Sequence, residues 1–179
     1  HYDFLGAVEN FFTKCAPAMF MGWSNLNFDR RMFHFNFFKG NRYPYSTHSS
    51  PNSEHDGLHI ARAAQTLNSE TLKTELTEAG NPSLALESLS RMQGFDTSAS
   101  HTAYVDAQNS LKVLRIIKDK HKENWQTFLK TSTKPSVETI LKSDGIYSIF
   151  ENVKGRNMMY LTSTPVSYTH LRAHETREY

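Results

Sequence analysis

The sequence predicts an α+β fold, with central helices followed by antiparallel strands that end in a β-hairpin, in a domain expected to be incomplete. Three observations lead there. Apolar residues recur at helical spacing near the start and again through the middle of the chain. Two alternating runs, Ile146–Val153 and Asn157–Thr162, flank Lys154-Gly155-Arg156 as a hairpin would. A hydrophobic content of 38% with 12% aromatic residues suits a globular protein rather than a disordered one.

The elements follow in order. Phe4, Leu5, Val8, Phe11 and Phe12 repeat at helical spacing until Pro17 stops the run. Ala18-Met19-Phe20-Met21, before Gly22-Trp23, suits a buried strand. Met32–Phe38 alternates, with Phe33, Phe35 and Phe37 on one face, and predicts a strand closed by Lys39-Gly40-Asn41. Asn41–Gly57 is polar and contains Pro44 and Pro51, which predicts a long loop. Helices are expected at Leu58–Leu67 with Asp56 as N-cap, at Glu70–Ala79 between Ser69 and Gly80, and at Leu84–Gln93 between Ser83 and Gly94. His101–Ala107 and Leu111–Ile117, around Gln108-Asn109-Ser110, predict a hairpin. Lys118–Asn124 is a charged, exposed stretch before Trp125, Phe128 and Leu129. Ser136–Lys142 offers one or two helical turns ahead of the closing hairpin.

Charge and composition narrow the function. A net charge of +2 with interspersed signs gives no electrostatic case for nucleic acid, so none is expected as a partner. No apolar run reaches the ~20 residues of a transmembrane segment. Cys15 is the single cysteine, so no disulfide forms within the chain, and compartment is left open. No cofactor follows from the sequence.

The sharpest local constellation is His55-Asp56-Gly57-Leu58-His59. At i and i+4 on a helix, His55 and His59 would share one face and could grip a divalent metal, with Asp56 placed as a general base. The competing reading makes Asp56 an N-cap beside two solvated histidines. Other motifs have plainer readings. His1-Tyr2-Asp3 could open an iron site, yet no strand context surrounds it. Cys15 could be a nucleophile, although a lone cysteine beside Ala16 and Pro17 fits a small buried residue better. Lys118-Asp119-Lys120-His121-Lys122, near Trp125, is diluted by acids and reads as a solvated turn. The phenylalanine stripe reads as core before it reads as a stacking platform.

Two resemblances follow from particular residues. Val166-Ser167-Tyr168-Thr169-His170-Leu171-Arg172-Ala173-His174-Glu175-Thr176 resembles, codon by codon, the translation of a transposase sequencing adapter. Residues 1–165 are thus expected to form a single α+β domain or part of one, and 166–179 a non-native tail. Missing parts of the chain itself would then be its first partners. Separately, Trp125-Gln126-Thr127-Phe128-Leu129, Lys134-Pro135-Ser136-Val137, Gly145-Ile146-Tyr147-Ser148-Ile149-Phe150 and Tyr160-Leu161 resemble the C-terminal strands of cysteine N-terminal-nucleophile amidases of the acid-ceramidase and penicillin-acyltransferase type. Asn41–Tyr45, Asp56 and Arg62 have a looser likeness to the loop and helix that follow the substrate-side strands there. That resemblance implies a piece of a hydrolase acting on a linear amide bond, inactive as it stands because its nucleophile would lie upstream of His1 and no catalytic residue carries over. The alternatives are a non-catalytic binding or structural domain, and a metal-binding protein using His55, Asp56 and His59.

Overall fold

Leu5 and Phe12 turn inward from α1 (Tyr2–Cys15) as their spacing predicts, with Asp3 in the first turn and Lys14 in the last, each matched to the helix dipole. The computed structural model describes residues 2–163 except Ala99, His101 and Asp144; His1 and the expected tail at 166–179 lie outside the described residues. After α1, β1 (Met19–Gly22) pairs in parallel with β2 (Ser53–Asp56), from Met19 opposite Ser53 to Gly22 opposite Asp56. A parallel pair needs a crossover connection, and here it contains α2 (Asp29–Lys39).

The helix α2 corrects the strand expected at Met32–Phe38. Phe33 and Phe37 satisfy strand alternation, but they are also four residues apart and meet on one helical face. Phe37 is 2% exposed, whereas Phe35, between them, is 62% exposed. A strand would have turned all three to the same side. Phe12 receives this face, with its ring centroid 5.6 Å from Phe33 and 5.0 Å from Phe20. Together with Leu5 and Phe37 it forms a small second core. The polar stretch before Gly57 is a run of turns that ends in β2 rather than loop throughout.

Helix α3 (Gly57–Leu67) starts where predicted, with the Asp56 carboxylate accepting from the Leu58 amide. The helix expected at Glu70–Ala79 is absent; the segment turns back on itself, with Leu76 bridged to Pro82 and Gly80 at φ +74°. Side chains hold it open. Gln65 accepts from the Leu72 amide and donates to the Ser69 and Leu72 carbonyls, while Thr71 donates to Asn68 and Ala64. These bonds replace the ladder that a helix would have supplied. Next, α4 (Leu86–Met92) is shorter than the Leu84–Gln93 expected; Ala85, not Ser83, is its N-cap residue, and Gly94 follows at φ +75°.

The hairpin expected across His101–Ile117 is instead the single helix α5 (Ala103–Lys120). Its inward stripe is Asn109, Ser110, Val113, Leu114 and Ile117, a 3.6-residue period that two polar members disguise. The charged stretch at Lys118–Asn124 spans the junction of α5 with α6 (Lys122–Lys130), where His121 is buried rather than solvated. Helix α7 (Lys134–Lys142) then leads to β3 (Ile146–Val153) and β4 (Arg156–Ser163), paired from Ile146 opposite Ser163 to Val153 opposite Arg156. Lys154 at φ 49° and Gly155 at φ 83° make the two-residue turn whose backbone twist suits a hairpin.

The architecture is therefore α+β, with helices, one parallel strand pair and one antiparallel hairpin among the described residues. The main core joins Ile60, Ala61 and Ala64 of α3 to Leu89 of α4, Val113, Leu114 and Ile117 of α5, and Phe128 of α6. The hairpin packs across α3, with Phe150 against this core. Among the described residues, no helix is long and apolar enough to cross a membrane.

Candidate functional site

A cavity of about 480 Å³ opens beside the carboxyl end of β1, between that strand, the start of α2 and the first half of α5. The carboxyl ends of parallel strands are where open α/β arrangements place ligands. Phe20, Met21, Gly22 and Trp23 form one wall, Asp29 and Phe33 a second, and Asp106, Ala107 and Ser110 a third. Asp29 is exposed, in the first turn of α2. Asp106 occupies the first turn of α5. Asp29 and Asp106, from distant parts of the sequence, therefore face one space that Glu54 also lines, beside the rings of Phe20, Trp23 and Phe33.

The segment that carries Asp29 is fastened from below. The fully buried Asp56 carboxylate accepts from the Ser24 amide at 2.8 Å and the Leu26 amide at 3.4 Å, besides capping α3. One residue pair along β2, Glu54 accepts from Asn25 Nδ2 at 3.0 Å and from Arg30 Nε at 2.9 Å. Gly57 lets Trp23 settle. A Cβ there would meet the Gly22 carbonyl oxygen at 3.0 Å and the Trp23 ring at 3.1 Å. The indole Nε1 of Trp23 donates to the Leu84 carbonyl, which fixes the ring as cavity wall.

Beside Glu54 lie His34 and His48, with ring centroids 5.1 Å apart. Burial holds both pKa values below the ordinary histidine value, the Arg30 guanidinium adds to that, and Glu54 partly opposes it. His48 Nδ1 stands 3.7 Å from Glu54 Oε2, with no hydrogen-bond partner among the described residues.

The residues singled out from the sequence are dispersed. His55 is in β2, not on a helix, so it does not share a helical face with His59. His55 is buried, not solvated: Nδ1 accepts from the Asp56 amide, and Nε2 lies 2.8 Å from the Phe128 carbonyl and 3.0 Å from Thr131 Oγ1. These partners set the Nε2–H tautomer. Either nitrogen would have to give up a hydrogen bond to reach a metal. His59 is exposed on α3. Cys15 is exposed at the end of α1 rather than buried, and Asp3 sits in that helix's first turn. In the basic cluster, Lys120 donates to the Glu70 carbonyl and His121 Nε2 meets Thr71 Oγ1 at 2.6 Å, a brace between elements. Asp29 and Asp106, which the cavity brings forward, were not among the sequence candidates. Carboxylate oxygens are ligands for hard divalent cations. Among the described residues, no group of three or more His, Cys, Asp or Glu side chains is placed to hold a metal ion. The Asp29 and Asp106 pair therefore does not by itself make a metal centre.

The fold that builds this cavity recurs in solved structures of exonuclease I. In particular, the chain is similar to exodeoxyribonuclease I of Haemophilus influenzae, 26% identical over 122 residues that make up 68% of this chain and 26% of that protein. It is 28% identical to exodeoxyribonuclease I of Escherichia coli over 120 residues, 64% of this chain and 24% of that one. No protein-family model matches. Among solved structures, E. coli exonuclease I in complex with a dT13 oligonucleotide superposes with a TM-score of 0.76 at 18% identity, over 90% of this chain and 36% of that one. The same enzyme with a dA16 oligonucleotide gives 0.72 at 22% identity, over 77% and 30%. At that identity the superpositions show the fold. The chain spans about a quarter of the length of these two curated relatives.

Two expectations are overturned by these findings. The relatives and structural neighbours are exonuclease I proteins, not cysteine N-terminal-nucleophile amidases, so the amide-hydrolase reading is withdrawn. Its residues, Trp125–Leu129 and Gly145–Phe150, belong to α6 and to an ordinary hairpin, whose strand grammar any β-pair can produce. The exclusion of nucleic acid also fails, because the neighbours were solved holding oligonucleotides. Net charge averages over the whole surface, whereas a strand is held by a few local cations and aromatic faces.

Proposed function

We propose that this chain forms part of a DNA exonuclease, with the Asp29 and Asp106 cavity as the place where a phosphodiester bond is hydrolysed. The observation that carries the reading is that these two carboxylates, from α2 and α5, face one cavity with Trp23, Phe20 and Phe33. The fold similarity to exonuclease I supports it. Aromatic walls offer π-faces on which bases stack without regard to sequence, worth about 1–3 kcal/mol per base. A carboxylate facing the cavity can take a proton from a water as its oxygen bonds to phosphorus and the P–O bond to the departing nucleotide breaks. The network from Asp56 and Glu54 to the 24–30 segment would keep Asp29 in position for that step.

The test is the shortening of an end-labelled single-stranded oligodeoxynucleotide by the protein, expressed with any flanking sequence its gene encodes. Asp29→Asn and Asp106→Asn should each lower the rate by roughly 10²-fold or more. Wild-type rates in both variants, with folding intact, would remove the cavity from the chemistry.

A further inference from the structure

A second cavity, of about 390 Å³, lies on the other side of Trp23, under the β3–β4 turn. Arg62 of α3 lines it together with Ser24, Thr77, Ser83, Asn152 and Asn157. The guanidinium has no hydrogen-bond or ion-pair partner among the described residues, unlike Arg30, Arg42 and Arg91, which are each paired with a carboxylate. Burial lowers the His59 pKa, and the Arg62 charge adds to that. Among the described residues, no carboxylate lines this cavity; the other polar contributions are hydroxyls and amides. A half-buried cation among neutral donors is a receptor for an anion, and the planar guanidinium fork matches a phosphate.

Trp23 and its neighbours connect the two cavities. The same ring lines both, and Leu86 of the first stands one residue beyond Ala85 of the second. We propose that Arg62 holds a backbone phosphate of the strand whose scissile bond lies in the acidic cavity, so that the second cavity is a phosphate subsite for a single-stranded polynucleotide. The inference rests on the exonuclease reading. Arg62 is a binding residue in it, remote from the reacting atoms, and the hairpin turn closes the subsite from above.

The test compares wild type, Arg62→Gln and Arg62→Lys for binding of a fluorescent single-stranded oligonucleotide across a salt series. Arg62→Gln should weaken binding about tenfold, the scale of one charge-assisted contact. It should also lower the slope of log Kd against log salt by about 0.7, the value for one phosphate on a single strand. Arg62→Lys should keep the slope, because its charge remains. A mononucleotide, too short to span both cavities, should compete equally against all three. Equal affinity and slope in Arg62→Gln would overturn the proposal while leaving the nuclease reading standing. An equal loss for the mononucleotide would overturn it too, by assigning Arg62 to the product. If the wild type binds no DNA, the exonuclease reading fails and takes the subsite with it.

Discussion

Replacing Asp56 by alanine tests the joint on which the candidate site is built. The carboxylate is fully buried and accepts from three amides, Leu58 at 2.9 Å, Ser24 at 2.8 Å and Leu26 at 3.4 Å. Loss of the helix cap costs about 1 kcal/mol. Loss of the charge-assisted bond from Ser24, with that amide left partly buried, adds roughly 1.5–3 kcal/mol. The bond to Leu26 is long and contributes little. Asp56→Ala should therefore destabilise the fold by about 2.5–4 kcal/mol. Asp56→Asn keeps an oxygen for Leu58 and Ser24 but turns an amide nitrogen toward the Leu26 N–H, so about 1–2 kcal/mol is expected. Equilibrium urea unfolding followed by tryptophan fluorescence measures both. With a slope of ~2 kcal/mol per molar urea, the alanine variant's midpoint should fall by roughly 1.2–2 M. A loss below ~1 kcal/mol in Asp56→Ala would refute the reasoning, and would return Asp56 to consideration as a chemical rather than a structural residue.

Further outcomes follow from the same contacts. Phe37→Ala should cost about 3–5 kcal/mol and Phe35→Ala less than ~0.5 kcal/mol, because only a helix separates the buried ring from the exposed one; similar losses in urea unfolding would restore the strand. Gly57→Ala should cost about 1–3 kcal/mol, since its Cβ would press on the Gly22 carbonyl and the Trp23 ring, and a neutral or stabilised variant would show that this approach is looser. Burial lowers the pKa values of His34, His48 and His121, so the unfolded chain binds protons that the fold refuses. Stability should accordingly be full above the unfolded value near 6.5 and fall as pH drops below it; a Tm that rises on acidification from pH 7 to pH 5.5 would contradict the burial argument.

What the sequence made legible was local. The α1 period, the Asp56 cap of α3, the helix at Ser136–Lys142 and the Lys154-Gly155 turn each depend on residues a few positions apart, and each recurs in the structure. The misread segments are those where two periods fit the same letters. Phe33 and Phe37 obey both alternation and helical spacing, and only their packing on Phe12 decides between them. Along α5, Asn109 and Ser110 occupy core-facing positions, because Asn109 donates to the Asp96 carbonyl and Ser110 to that of Asp106. Polar letters there broke the apolar stripe and made two strands of one helix. The site was illegible for a related reason. Asp29 and Asp106 meet only after α2 and α5 are correctly assigned, and neither stands in a short motif. His55 and His59, by contrast, made a motif that the β2–α3 boundary divides.

The proposed function requires a DNA strand to lie across the cavity walled by Phe20, Trp23 and Phe33. Photocrosslinking measures this directly, using a single-stranded oligonucleotide carrying 5-iodouracil at successive positions, with the attached residues mapped by mass spectrometry. Adducts are expected on those three aromatic residues, suppressed by unlabelled single strand. Adducts confined to Trp125 or to the exposed rings of α1, or none under conditions where the protein shortens DNA, would contradict it.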